Sequence, residues 1–404
     1  MKYKSLLVVA LVLCAASAQA ADSLNCRVVG SCVIRTASVC AYGDIACADS
    51  RDSGVYVLNI SDKSNPHVIG HTYVTRTAND LVMNSDTCAY IADGVRVARI
   101  GLSDPSNPTY GKSTSAGGWV QFVTIDGDYL YASLYSLGLK IFDVSSPDTI
   151  RQVGYTALTG HIFQQPIVVG DYCYVNSWDS GFSVVDISNK ANPIEVARYR
   201  PDTVAANHSE DLAVRGNLVY MSWMTRVHCV DVSDLENITS LGVTDYLGGY
   251  VYNVRVSGLY VYVVVGNVNG LRVVDVSDPS NPVEVGHYRD SVAARAVNLA
   301  DGYAYVTWVG NVLKIIQFYG GGAVVEEGGR SVASRSQLGA TIVRGNLFLT
   351  GDRRPETGDR VALMDAAGRR VMELRPGPND VHHLSPGVYF VRSQSAVEKV
   401  LLTR

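Results

Sequence analysis

Within four residues the chain sets one imidazole and two carboxylates, on His208, Glu210 and Asp211. A histidine beside carboxylates is equipped for general acid–base work, one group taking a proton while another gives it. No nucleophile stands with them. GxSxG, HExxH and the phosphate-cradling GxxxxGK[ST] are absent, and no Cys or His cluster has metal spacing. The three residues read better as part of a polar binding surface than as a catalytic set, and neither a cofactor nor a metal is expected.

The same residues fall into a ring when the sequence is laid over itself. Six positions ahead of Gly258 and its equivalents stand Ala37, Asp80, Gln121, Gln164, Glu210, Tyr252 and Arg295, with His161, His208, Asp211 and Asn253 beside them. Asp80, Gln121, Gln164, His208, Glu210, Asp211, Tyr252, Asn253 and Arg295 are the candidate ligand-binding residues. Polar side chains of a wet channel that satisfy one another would leave the same pattern. Tryptophan recurs too: Trp178, Trp223 and Trp308 each follow a strand tyrosine by three or four residues, and Tyr135 holds a similar place. As surface aromatics they would bind protein or glycan; packed between neighbouring sheets they would be core.

The elements that carry these positions come from a repeat. "VVDVSDPSNPVEVGHY", from Val273, has counterparts beginning at Val57, Ala98, Ile141, Val184 and Cys229, and "KIIQFYG" from Lys314 supplies a strand without its turn. Positions equivalent to Asp275 are Asn59, Gly101, Asp143, Asp186, Asp231 and Gln317, spaced by 42 to 45 residues. Each period holds four short alternating segments, the pattern of a propeller blade. The expected fold is all-β, a seven-bladed β-propeller over residues 21–319. Gly101 and Gln317 at the anchor position exclude a calcium ligand in every repeat, so the Asp, Ser, Asn and Pro run reads as the turn between third and fourth strands. The seventh copy lacks a fourth strand. "RVVGS", Arg27 to Ser31, matches the fourth-strand segments "HVIGH" and "VEVGH", so an N-terminal strand is expected to complete the last blade.

On runs such as "GLKIFDVSSP" and "GLRVVDVSDPSNPVEVG", the chain from Arg27 to Phe318 resembles the LVIVP repeat of bacterial surface and secreted proteins. The resemblance implies a propeller in an extracellular setting with a binding role, and no shared enzymatic activity.

Residues 320–339 read as a Gly- and Ser-containing linker, and alternation resumes over 340–404 as a small immunoglobulin-like β-sandwich. "VALMDAAGRRVMEL" and "LSPGVYFVRSQSAVEKVLLTR" resemble the C-terminal sorting domain of the type nine secretion system, which implies passage through the outer membrane with the secretion machinery as partner. At the other end Lys2, Lys4, "LLVVALVLCAA" and "AQA" read as a signal peptide of residues 1–20. No later run approaches the ~18 apolar residues of a transmembrane helix. A net charge of -4 without a basic stripe excludes nucleic acid as the main partner. Seven cysteines follow Ala20, and Cys26, Cys32, Cys40 and Cys47 lie close enough in sequence for a disulfide in an oxidising compartment, while Cys88 and Cys173 read as small core residues.

The functional expectation is an exported binding or adhesion module, at the outer-membrane surface or extracellular, holding a protein or glycan on the channel-mouth face. The competing class is an extracellular hydrolase or lyase acting on glycans or peptides at that mouth. A scaffold without a small ligand is the third.

Overall fold

A computed structural model describes residues 22–319 apart from 51–52, 161–163, 202–207 and 267–268, and then 341–343, 346–349, 361–365, 369–374, 377–380, 384–385, 387–392 and 397–402. The signal segment 1–20, His161 and the linker 320–339 lie outside the described residues. The chain divides into two compact units, 1–318 and 319–404.

In the first unit the sequence folds into a succession of antiparallel sheets over residues 39–72, 78–115, 120–156, 167–199, 212–243, 251–288 and 294–318, here called sheets one to seven. Each runs strand by strand in chain order. In sheet three the strands are Val120–Asp126, Tyr129–Leu134, Gly138–Asp143 and Arg151–Thr156. Neighbouring residues of a strand point to opposite faces, and here both faces are covered. In the strand Cys88–Asp93 every residue is buried: Ala89 and Ile91 pack toward sheet one, Tyr90 and Ala92 toward sheet three. That is why the second strands read as nearly unbroken apolar runs.

The seams form a circuit. Buried apolar clusters join sheets one and two, two and three, and so on to six and seven. A further cluster joins Tyr305, Leu313 and Ile315 of sheet seven to Val39, Ala46 and Leu58 of sheet one. The fold is propeller-like. Sheet seven has three strands of its own, and its fourth is the N-terminal strand Cys26–Val33, antiparallel to Val312–Phe318 with Arg27 opposite Gln317. Sheet six gains a short fifth strand, Ser23–Leu24, on its outer edge.

The repeated Asp–Ser–Asn–Pro run is a turn with side chains closing on their own backbone. The Ser106 N–H and hydroxyl donate to Asp104 Oδ1 at 3.0 and 2.6 Å, and Ser280 does the same to Asp278 at 3.0 and 2.6 Å. Those bonds hold both carboxyls below the usual aspartate range. The turn also locks sheet to sheet. A Cβ on Gly70, in the fourth strand of sheet one, would lie 2.1 Å from the Pro105 carbonyl oxygen in the turn of sheet two. Gly30 of the N-terminal strand meets the Lys63 carbonyl of sheet one in the same way, at 2.2 Å, so the "VIGH" glycine is where the next turn seats.

The seven cysteines after Ala20 are free thiols, which corrects the expected disulfide. Cys26 packs at the sheet six–seven seam, whereas Cys40 and Cys47 belong to the sheet one–two seam. Burial pushes the Cys26 and Cys47 thiols up to about 12, leaving them inert.

The second unit is also β-rich. A five-stranded sheet runs Thr341–Val343, Val397–Leu402, Gly387–Arg392, Val361–Asp365, Arg370–Leu374, its first pair parallel and the rest antiparallel, and Asn346–Leu349 pairs with Gly377–Asp380. The "AAGR" stretch connects the hairpin Val361–Asp365/Arg370–Leu374, where the Arg369 N–H donates to Asp365 Oδ1 at 2.9 Å.

Candidate functional site

The first strand of a sheet faces the channel, and in sheets two, three, six and seven its opening residues carry a register shift: between Ala78 and Asp80, Val120 and Phe122, Val251 and Asn253, Ala294 and Ala296. In sheets two and six the residue after the shift reaches the next sheet, and in sheet five Asp211, just ahead of Leu212, does the same. Asp80 Oδ2 accepts the Val123 N–H at 3.0 Å, Asp211 Oδ2 accepts that of Val254 at 2.9 Å, and Asn253 Oδ1 accepts that of Val297 at 2.9 Å. These three side chains are clasps between sheets.

The alignment behind the sequence ring therefore needs correction at one place. Sheet two has a second irregularity, between Met83 and Ser85, which puts one extra residue between clasp and turn. Asp80 corresponds to Asp211 and Asn253, not to Glu210 and Tyr252.

Asp211 is fully buried. Besides the Val254 N–H, its Oδ2 receives Asn253 Nδ2 and Arg255 Nη1, each at 2.7 Å. Arg255 Nη2 continues to Gln165 Oε1 at 2.8 Å, and Gln165 Nε2 donates to the Val123 carbonyl at 3.0 Å. One polar chain thus ties sheets three, four, five and six together. Burial pushes the Asp211 carboxyl up while the Arg255 guanidinium pulls it back.

Across the ring, Asp49 is fully buried and Asp80 nearly so. The Ser38 N–H donates to Asp49 Oδ1, and the Ser38 hydroxyl donates to Asp80 Oδ1 at 3.3 Å. Burial raises Asp49 to about 6 and Asp80 to about 7; the Asp49 charge adds to the rise at Asp80, and Arg255 opposes it. Asp49, Gln165 and Arg255 escaped the sequence reading. Their signal was a charged or amide group inside an apolar inner strand, "ACADS" and "VYNVRVS".

The mouth itself is aromatic. Gln121 and Gln164 are half-buried and Arg295 exposed, while Tyr252 is 42% exposed. Trp178 is 38% exposed, but Trp223 and Trp308 are buried at the four–five and six–seven seams, which corrects their expected surface position. A tryptophan that ends the second strand packs between sheets; Trp178 lies one residue beyond its strand and turns outward. Trp119 and Tyr246, unnoticed in the sequence, are exposed on the same face.

His208 and Glu210 belong to this face. The Ser209 between them is buried and exchanges two bonds with Asn176: its hydroxyl donates to Asn176 Oδ1 at 2.6 Å, and Asn176 Nδ2 donates to its carbonyl at 3.0 Å. The Ser222 hydroxyl receives the Glu210 and Asp211 N–H groups, each at 2.9 Å. Thus anchored, the His208 ring lies between Trp178 and Tyr250, with centroids at 4.7 and 5.6 Å. Glu210 Oε1 accepts the Trp178 indole N–H at 3.2 Å and stands 3.3 Å from His208 Nε2. Asp211 turns inward to Arg255, so the imidazole and two carboxylates adjacent in sequence do not converge. Among the described residues, no three His, Cys, Asp or Glu side chains converge as metal ligands.

With this geometry in view, the comparisons fit. Residues 35–75, 117–153, 165–201 and 248–290 match the LVIVD repeat, so the repeat name taken from the sequence changes by one letter. The chain is similar in structure to the WD40 β-propeller domain of Doa1, with 12% identity, TM-score 0.56, and 72% of this chain and 97% of that one covered. It is similar to BamB from Moraxella catarrhalis at 11% identity and TM-score 0.52, over 72% and 98%. The designed protein Ika8 matches at 10% identity and TM-score 0.55, over 72% and 97%. No curated protein matches the chain. These likenesses establish a repeat β-propeller fold. Among the described residues no helix is long and apolar enough to cross a membrane.

Proposed function

We propose that the chain is an exported, seven-bladed repeat propeller that acts as a binding or adhesion module, gripping a protein ligand on its channel-mouth face. The observation that carries this reading is the asymmetry of exposed aromatics. Tyr73, Trp119, Tyr135, Trp178, Tyr246, Tyr250 and Tyr252 are all exposed, and all lie in segments at the end where first strands begin and second strands end. Among the described residues of the propeller, the exposed rings at the opposite end are Tyr42 and Tyr172. Tyrosine and tryptophan gathered on one face, with Arg295 and two glutamines among them, have the composition of a protein-binding patch. The signal-like N-terminus supports export. The terminal "GVYFVRSQSAVEKVLLTR" and the β-rich second unit support an immunoglobulin-like sorting domain that delivers the propeller to the outer-membrane surface or beyond.

Replacing Trp119 and Tyr246 together by Ser tests the face. Adherence of the purified protein to cells or extracellular matrix should fall at least about tenfold, while melting temperature and circular dichroism stay unchanged. Undiminished adherence would overturn the reading.

A further inference from the structure

Four carboxylates elsewhere in the propeller, about as exposed as Glu210, each meet a Lys or Arg. Asp143 meets Arg151 at 2.8 Å, Glu284 meets Arg272 at 2.7 Å, Glu195 pairs with Arg198, and Asp290 pairs with Lys314. Glu210 has around it the indole N–H of Trp178 and one ring nitrogen of His208, and among the described residues no Lys or Arg pairs with it. It is a partly buried carboxylate set among aromatic rings.

The same molecule shows what such a setting accepts. At the sheet six–seven seam the Lys314 ammonium lies 5.0 Å from the ring centroids of both Tyr288 and Trp308, donates to the Tyr288 hydroxyl at 3.1 Å, and pairs with Asp290. Two electron-rich ring faces and one carboxylate hold a cation together, because ring quadrupole and carboxylate both oppose its charge. Trp178, Tyr250 and Glu210 bring the same kinds of group together at the sheet four–five mouth, with the His208 ring lying between the two aromatic rings; there Trp178 and Tyr250 are exposed and the segment bearing Glu210 is fixed by Ser209 and Ser222.

Resting on the protein-binding reading, we infer that the Trp178–His208–Tyr250 stack with Glu210 is the anchor subsite of that face, and that it takes an arginine or lysine side chain of the partner protein. The cation lies against the exposed part of the Trp178 and Tyr250 rings, beside His208, and its N–H groups reach Glu210. Arg is favoured over Lys, since a planar guanidinium both stacks on a ring and donates in its plane to a carboxylate.

The test uses the full chain and a tetra-arginine peptide, with tetra-citrulline as its uncharged counterpart and maltohexaose as a neutral glycan, followed by calorimetry. Tetra-arginine should bind at least about tenfold more tightly than tetra-citrulline, and Glu210→Gln should remove about that factor. Gln keeps an oxygen that can accept the Trp178 indole N–H, so the fold is undisturbed; unchanged melting confirms this. Trp178→Leu should weaken tetra-arginine as well. Equal binding of arginine and citrulline, or a Glu210→Gln chain that binds like the parent, overturns the inference. So does maltohexaose binding that is lost in Trp178→Leu and kept in Glu210→Gln, since that describes a sugar platform. If adherence survives Glu210→Gln but not the Trp119/Tyr246 double change, the binding face stands and the cation subsite alone falls.

Discussion

Between sheets five and six a buried aspartate, Asp211, meets a guanidinium; between sheets one and two, Asp49 and Asp80 share a serine and face each other. Both seams use a carboxylate to hold backbone N–H groups of a neighbouring strand. The first sets a guanidinium directly against the carboxylate; at the second Arg255 acts only from a distance, on Asp80. Burial raises the Asp211 carboxyl and the guanidinium at 2.7 Å works against that rise, whereas Asp49 and Asp80, with no ion-pair partner among the described residues, rise to about 6 and 7 and titrate near neutrality. One geometric device therefore gives a seam held by an ion pair and a seam whose stability responds to pH near neutrality.

The strongest way to break the comparison is to erase the charge that separates the two seams. Arg255→Met leaves Asp211 buried without its partner and should cost about 3–5 kcal/mol in urea unfolding. Adding Asp211→Asn should restore most of it, and a loss below about 1 kcal/mol would show that the guanidinium is dispensable. Next is pH. Asp49 and Asp80 hold their protons more tightly folded than unfolded, so the stability they contribute is whole below about pH 4 and is lost as pH rises through 6 and 7. The loss between pH 4 and 8 should amount to several kcal/mol for the two groups together. It is read as the difference between the parent and a chain with both residues changed to Asn, because carboxylates such as Asp143, held down to about 2, give an opposite slope in acid. A flat difference would remove the contrast. The smallest effect sharpens it: Asp80→Asn should gain about 2–3 kcal/mol more at pH 8 than at pH 5, measured by the same unfolding midpoints. Asn253, which accepts the Val297 N–H from the equivalent position, shows that an amide oxygen suits the site.

Much of the propeller was legible because its repeat is chemical as well as numerical. Each period needs a turn whose Asp and Ser close on the backbone and a glycine where the next turn seats, so the spacing could be read and the missing fourth strand noticed. The site was harder. A single extra residue between Met83 and Ser85 leaves the repeat visible yet moves Asp80 one place along the ring. Trp223 and Trp308 follow the same tyrosine spacing as Trp178, and only the strand's last residue decides which packs inward. Arg255 acts through Gln165, 90 residues away, and periodicity holds no trace of a contact made across the channel by one repeat alone.

The N-terminal strand has a kinetic consequence. Cys26–Val33 is made before every other strand of the ring except Ser23–Leu24, yet its partner Val312–Phe318 comes last, with the Arg27–Gln317 contact spanning 290 residues. Closing so long a loop is slow beside forming the local hairpins of the other sheets, so those sheets can be complete while the circuit is still open. Until it shuts, the molecule presents two unpaired strand edges, the surfaces on which nascent chains stick to one another. A chaperone attending this protein during synthesis or transport would have its target there, on the segment that is born early and seated last.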